Sequence, residues 1–524
     1  MISRSKHQKR LPKCELKTVP TFLETKSDAA MDATPNHSAP EPQARFSWRT
    51  VAIVGALCML TAFLFEMIAS ELVTQEVITV IGVGAIFFVV LGFCAARSRA
   101  LAERPKWFIF AVWGLLLASE EIFSYINDAT STYESQFAFA AYAQAAIWML
   151  AAAALLVFLL GNPGSLRGLF SGQYKWVSIY SVVALLSVAY APQLSFSLAW
   201  AFKLCLIVLV LQAISKQLFD LDDVAAFLLA TIAAYVFLVG APSIRSMMPD
   251  PTGTYGQNEF ETRMREGPTG LSAAAGTFAL LALTVYTPGK RKALLVLSVI
   301  GLAVMIIAGG KAAIAAGILS GLLFFGLQKR VGATLGFMAG IVVIFWFALT
   351  FTPLSKYMSA YTSSGQVTSL TGRTELWAFV WPAVKQKIVQ GHGYVSSRFV
   401  SVAMPGTPFQ AGHMHNGFLE ALYNNGLIGL FLMLMIHAVI VRNLWKTMRG
   451  EVSPRAQRLA IGSMAIYTNL LINGMFNATF SGRANSQFML LLAMVIVSIR
   501  LVREVKPSRL LERPAPAWAQ VVQS

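Results

Sequence analysis

Arg373 and His415 lie in a stretch, Thr371 to Gly429, where Gly, Arg, His and Asn interrupt a long series of apolar segments. The stretch reads Thr371-Gly372-Arg373-Thr374-Glu375-Leu376-Trp377, then Gly391-His392-Gly393-Tyr394, then His413-Met414-His415-Asn416-Gly417, and closes on Gly426-Leu427-Ile428-Gly429. An imidazole titrates near pH 6.5 and can take up a proton at neutral pH. A guanidinium beside the free N–H groups of a helix start makes a site for an anion such as a pyrophosphate. Each residue type also has a plainer use. Arg373 would serve as well against a carboxylate or lipid phosphates, and His415 as a helix-start histidine bonded to a loop carbonyl.

Further cations could join an anion clamp: Arg263 and Arg265 in an earlier loop, and Lys311 after Gly309-Gly310. His413 with His415 forms His-x-His, and His392 offers a third nitrogen. No Asp, Glu or Cys stands nearby at ligand spacing, so no metal is expected. Lys203 lies inside an apolar run, where an ionisable residue is functional or paired to a buried acid. Glu66 and Glu120 are its candidate partners.

The elements that must carry these residues are membrane helices. Hydrophobic residues make up 56% of the 524 positions and charged residues 13%, and the mean hydropathy is +0.61, far from a soluble globular chain. Apolar windows of the roughly 20 residues needed to cross a bilayer recur after residue 49. Their continuity predicts helices rather than a barrel. The fold expected is an all-α polytopic bundle of about 14 transmembrane helices with a large outer loop carrying short helices. Spans are predicted near 50–69, 77–95, 107–125, 138–160, 176–191, 195–214, 223–241, 270–287, 293–308, 311–327, 331–351, 416–441, 459–479 and 486–502.

The net charge of +17 does not point to nucleic acid, because the basic residues flank spans on alternate loops, as topology signals do. Counted that way, both termini are cytoplasmic and the long loops 242–269 and 352–415 face outward. The domain layout expected is a disordered cytoplasmic tail over 1–49, N-terminal transmembrane helices over 50–254, a second membrane domain over 255–503 that includes loop 352–415 and is bounded by the family resemblance given below, and a cytoplasmic tail over 504–524. Cys14 falls in the first tail and Cys58, Cys94 and Cys205 in apolar runs, so no disulfide framework is indicated. Thr374 to Gln390 predicts a short amphipathic surface helix with Arg373 at its N-terminus and Trp377 and Trp381 at headgroup depth. His415, Leu419, Leu422, Gly426 and Gly429 follow one helical stripe. That stripe places Gly429 about 21 Å below His415 and offers the two glycines to a neighbouring helix.

Gly372-Arg373 with Trp377, Gly391 and Gly393, then His415-Asn416 followed by Gly426-x-x-Gly429, resembles the shared domain of the O-antigen ligases and Wzy-type polysaccharide polymerases. The likeness extends through Arg265-Glu266-Gly267 and Gly309-Gly310-Lys311, where Lys stands at a position the family often gives to Arg, and covers about residues 255–500. The resemblance implies a metal-independent, cofactor-free glycosyltransferase of the bacterial inner membrane, with its active site facing the periplasm. His415 would deprotonate an acceptor sugar hydroxyl. Arg373, helped by Arg265, would bind the diphosphate of a polyprenyl-linked oligosaccharide, with Arg263, Lys311, Asn416 and His413 as further substrate contacts. The partners implied are the lipid-linked donor, an acceptor glycan, membrane lipid, and flippase and chain-length regulator proteins. Polymerisation into exopolysaccharide is the leading expectation, ligation to a lipid A core the runner-up, and transport of a lipid-linked glycan the alternative without chemistry.

Overall fold

The computed structural model describes residues 105–128, 139–247, 268–284, 291–308, 310–351, 373–399, 414–476 and 485–505. Among them the chain is all-α. The helices are α1 (Pro105–Asp128), α2 (Phe139–Gly161), α3 (Lys175–Ser187), α4 (Leu194–Ser215), α5 (Leu221–Met247), α6 (Pro268–Thr284) and α7 (Arg291–Ile307). They continue with α8 (Lys311–Leu327), α9 (Val331–Phe351), α10 (Arg373–Gln386), α11 (Gly417–Arg449), α12 (Pro454–Phe476) and α13 (Ser486–Val502). Among the described residues, five helical segments are long and apolar enough to cross a membrane: 144–161, 194–215, 331–350, 417–449 and 454–476. Shorter apolar helices accompany them at 175–190, 270–284, 292–307, 311–327 and 486–502. The protein is a multi-pass membrane protein. The spans expected at 50–69 and 77–95, the tail 1–49 and nearly all of the tail 504–524 lie outside the described residues.

Apolar side chains gain little by leaving lipid for one another, so close packing and internal hydrogen bonds must hold such helices together. Both are present. α6 packs on α5, α7, α8 and α12, while α11 packs on α3, α12 and α13. Gly462 of α12 faces Thr284 of α6 so closely that a Cβ there would overlap the threonine side chain. Asn469 of the same helix donates through Nδ2 to Thr277 Oγ1 at 2.9 Å. Phe488, Leu491 and Val495 of α13 are fully enclosed in the main core.

Lys203 settles its own question. Its side chain is fully buried in α4 and forms an ion pair with Glu120 of α1, with the ammonium over the rings of Trp148 at 5.1 Å and Trp200 at 4.7 Å, which themselves pack edge to face. Gln144 of α2 donates to Glu120 Oε1 at 2.8 Å. Three helices thus share one charge-neutral cluster. Near the start of α1, Lys106 bonds Asp223 at 2.8 Å, and that hydrogen bond and charge hold the Lys106 ammonium above the usual lysine range.

Candidate active site at a broken helix

α11 is not one rod. Gly426 has φ 64° and ψ −161° inside it, which divides the helix into an arm (417–425) and a shaft (427–449). A break frees backbone groups that are costly to leave unbonded in apolar surroundings, and the segment after α10 takes them up. His392 N–H donates to the Tyr423 carbonyl, Gly393 N–H to the Asn424 carbonyl, and Leu427 N–H to the Ile388 carbonyl, each at 2.8 Å. Glycine is required on both sides of this contact. A Cβ at Gly426 would enter the Val389 carbonyl, and one at Gly391, also at positive φ (76°), would enter the Asn424 carbonyl.

Two expectations are corrected by this geometry. The stripe from His415 to Gly429 does not run straight, so the depth derived for an unbroken helix does not apply. Gly426 serves no neighbouring helix: it admits the 388–391 backbone, while a Cβ on Gly429 would meet Asn425 of its own helix.

Side chains on the inner edge of the break add a second layer of bonds. Ser187 Oγ, at the end of α3, accepts from Tyr394 N–H at 3.0 Å and donates to Asn425 Oδ1 at 3.0 Å. Asn424 Oδ1 accepts from Ser397 N–H at 2.8 Å, and Glu420 Oε1 accepts from Ser397 Oγ at 2.8 Å. Burial pushes the Tyr394 hydroxyl well above the usual tyrosine range, so it stays protonated. Glu420, Asn424 and Asn425 are not among the site residues expected from the sequence. Their signal was available as three amide or carboxylate side chains inside an otherwise apolar window.

α10 begins at Arg373, as expected, and buries Leu376, Val380 and Val384 against Met414, Leu422 and Tyr423. Its first turn is tied to the arm, because Trp377 Nε1 donates to the Met414 carbonyl, adjacent to His415, at 2.9 Å. Between α10 and the arm lies an open, mainly apolar groove of about 660 Å³, lined by Trp377, Trp381, Phe418 and Leu422 with Asn416 contributing a polar group.

Asn416 is the N-cap of α11. Its Oδ1 accepts from Phe418 N–H and Leu419 N–H, both at 3.0 Å. Capping uses the carbonyl end and leaves the NH₂ as the end suited to a ligand. His415, just before it, has φ 51°, a left-handed conformation that costs about 1–3 kcal/mol outside glycine and concentrates at functional sites. His392 faces elsewhere: its ring stacks on Tyr423 at 4.3 Å and its Nε2 lies 2.9 Å from the Ala383 carbonyl.

Lys311 and Arg373 come within Coulombic reach of each other. Both are the first residue of a helix, α8 and α10 respectively, where the helix dipole adds to the positive charge and an anion is favoured. Arg263, Arg265 and His413 lie outside the described residues. No cluster of three or more His, Cys, Asp or Glu with metal-binding geometry occurs among the described residues.

An apolar groove thus lies beside the start of α10, close to a histidine held at positive φ. Residues 276–434, from α6 into the shaft of α11, match the O-antigen ligase family model. That segment supports placing the chain with the O-antigen ligase and Wzy-type proteins, a family that acts on lipid-linked glycans and their acceptors. No curated protein matches the chain alongside it.

Proposed function

We propose that the protein polymerises polyprenyl-diphosphate-linked oligosaccharide repeat units into exopolysaccharide at the outer face of the bacterial inner membrane. The observation that carries this reading is that Lys311 and Arg373, each the first residue of a helix, lie within Coulombic reach of each other, while α10 is tied through Trp377 to Met414, next to His415 and Asn416. A hydroxyl of the acceptor sugar attacks the anomeric carbon of the donor. The new glycosidic C–O bond forms as the bond to the diphosphate breaks, and polyprenyl diphosphate leaves with the electron pair. His415 accepts the hydroxyl proton. Arg373, with Lys311, Arg263 and Arg265, stabilises negative charge growing on the leaving oxygen, and Asn416 and His413 orient the sugars. The catalytic domain is taken as residues 255–503, and flippase and chain-length regulator proteins are the expected partners.

Ligation of the same donor to a lipid A core is the second reading, favoured by the family to which residues 276–434 belong. Purified protein incubated with lipid-linked oligosaccharide separates the readings. Polymerisation gives a ladder from the donor alone, ligation requires added lipid A core, and transport leaves chain length unchanged. A chelator is expected to have no effect, and inhibition reversed by zinc would overturn the metal-free mechanism.

A further inference from the structure

The fold-back of α11 creates a contact that an intact helix forbids. Phe418 and His437 are nineteen positions apart, about 28 Å along an unbroken helix, yet their ring centroids are 5.3 Å apart. His437 is 6% exposed, and its Nδ1 lies 2.9 Å from the hydroxyl of Tyr467 on α12. The two rings are 5.8 Å apart. Shaft, arm and α12 therefore meet at one imidazole.

Phe418 is not an incidental neighbour. Its N–H is capped by Asn416, it is the third residue after His415, and its ring lines the groove. Moving this ring moves the turn that carries both candidate polar groups.

We propose that His437 and Tyr467 form a positioning pair whose function is to seat Phe418 and so set the pose of His415 and Asn416 against α10. The hydroxyl of Tyr467 and the imidazole nitrogen satisfy each other in apolar surroundings, where either would otherwise be costly. The imidazole presents its ring to Phe418. Neither residue touches the groove, and neither takes part in bond making. The consequence for turnover rests on the proposed transferase reading; the consequence for arm geometry does not.

The test combines kinetics with a geometric readout. His437→Ala is expected to lower kcat roughly a hundredfold, as displacement of reacting groups by about 1 Å does, while KM for the lipid-linked donor stays within about twofold because the Lys311 and Arg373 site is untouched. The double variant His437→Phe with Tyr467→Phe keeps the aromatic seat without the polar pair and is expected to recover most of the turnover. If it is as slow as His437→Ala, the imidazole does something other than seat the arm, and the proposal falls. For the geometric readout, Leu422→Cys and Leu430→Cys are introduced on the two sides of the break, with the native cysteines replaced by serine. Both leucines line the groove and Leu430 packs on the small apolar cluster that contains Leu422, so a disulfide is expected in the parent and is expected to form about tenfold more slowly with His437→Ala. An unchanged rate overturns the proposal whether or not the protein transfers sugar. If the disulfide rates differ as expected but the protein with native Leu422 and Leu430 shows no transfer, only the enzymatic reading falls.

Discussion

Gly426 of α11 meets the carbonyl of Val389 with no room for a side chain between them. The loop after α10 is therefore inserted into a helix rather than laid against it. Groove and arm take their relative positions from that insertion.

Replacing Gly426 with Ala combines a positive φ with a backbone collision that no rotamer relieves. The expected cost is about 2–4 kcal/mol, read as a lowered Tm in detergent. Ala at Gly336, where a Cβ meets nothing among the described atoms, is the control and should leave Tm unchanged.

His415 allows chemistry and strain to be separated. His415→Ala is expected to remove transfer, a loss of about 10²–10⁴ if the residue is the base. His415→Gly should be equally inactive yet at least as stable as the parent, because glycine accepts φ 51° without strain. Activity near the parent level in either variant excludes the residue as base.

The cation pair is read through donor binding. Lys311→Gln removes one of two positive charges within Coulombic reach of each other and is expected to raise KM for the donor about tenfold, and an unchanged KM would remove Lys311 from the anion site. Arg373→Lys preserves charge but loses the planar fork that grips a phosphate through two hydrogen bonds. Turnover is expected to fall about tenfold or more, and an unchanged rate would leave the residue a topological role only.

The Lys203 and Glu120 pair should behave as one unit. Lys203→Met alone strands a buried carboxylate and is expected to cost about 3–5 kcal/mol. Adding Glu120→Gln should restore most of it, measured as Tm of the single and double variants. A double variant no better than the single would mean that the cluster of Trp148, Trp200 and Gln144 depends on the charges themselves.

Much of this architecture was legible in the sequence because lipid imposes long apolar runs. Val331–Phe351, Lys311–Leu327 and Ser486–Val502 begin and end where hydropathy and charge place them. Arg373 at a helix start was legible for a related reason, since Gly372 and the apolar spacing of Leu376, Val380 and Val384 mark the register. The break at Gly426 was not. A glycine in an apolar helix more often serves close helix packing, and only the partner segment 388–393, remote in sequence, reveals the other use. The choice of Glu120 for Lys203 was hidden likewise, as nothing local distinguishes it from Glu66. Burial of Glu420, Asn424 and Asn425 follows from bonds to Ser187 and Ser397, which no periodicity encodes.

The insertion also fixes an order of events during synthesis. Ile388, His392 and Gly393 leave the ribosome before Tyr423, Asn424 and Leu427, the groups they will bond. Ser187, which ties Tyr394 and Asn425 together, is made earlier still. The interrupted helix is thus the last piece to arrive, and its recipients already exist when its exposed carbonyls first need them.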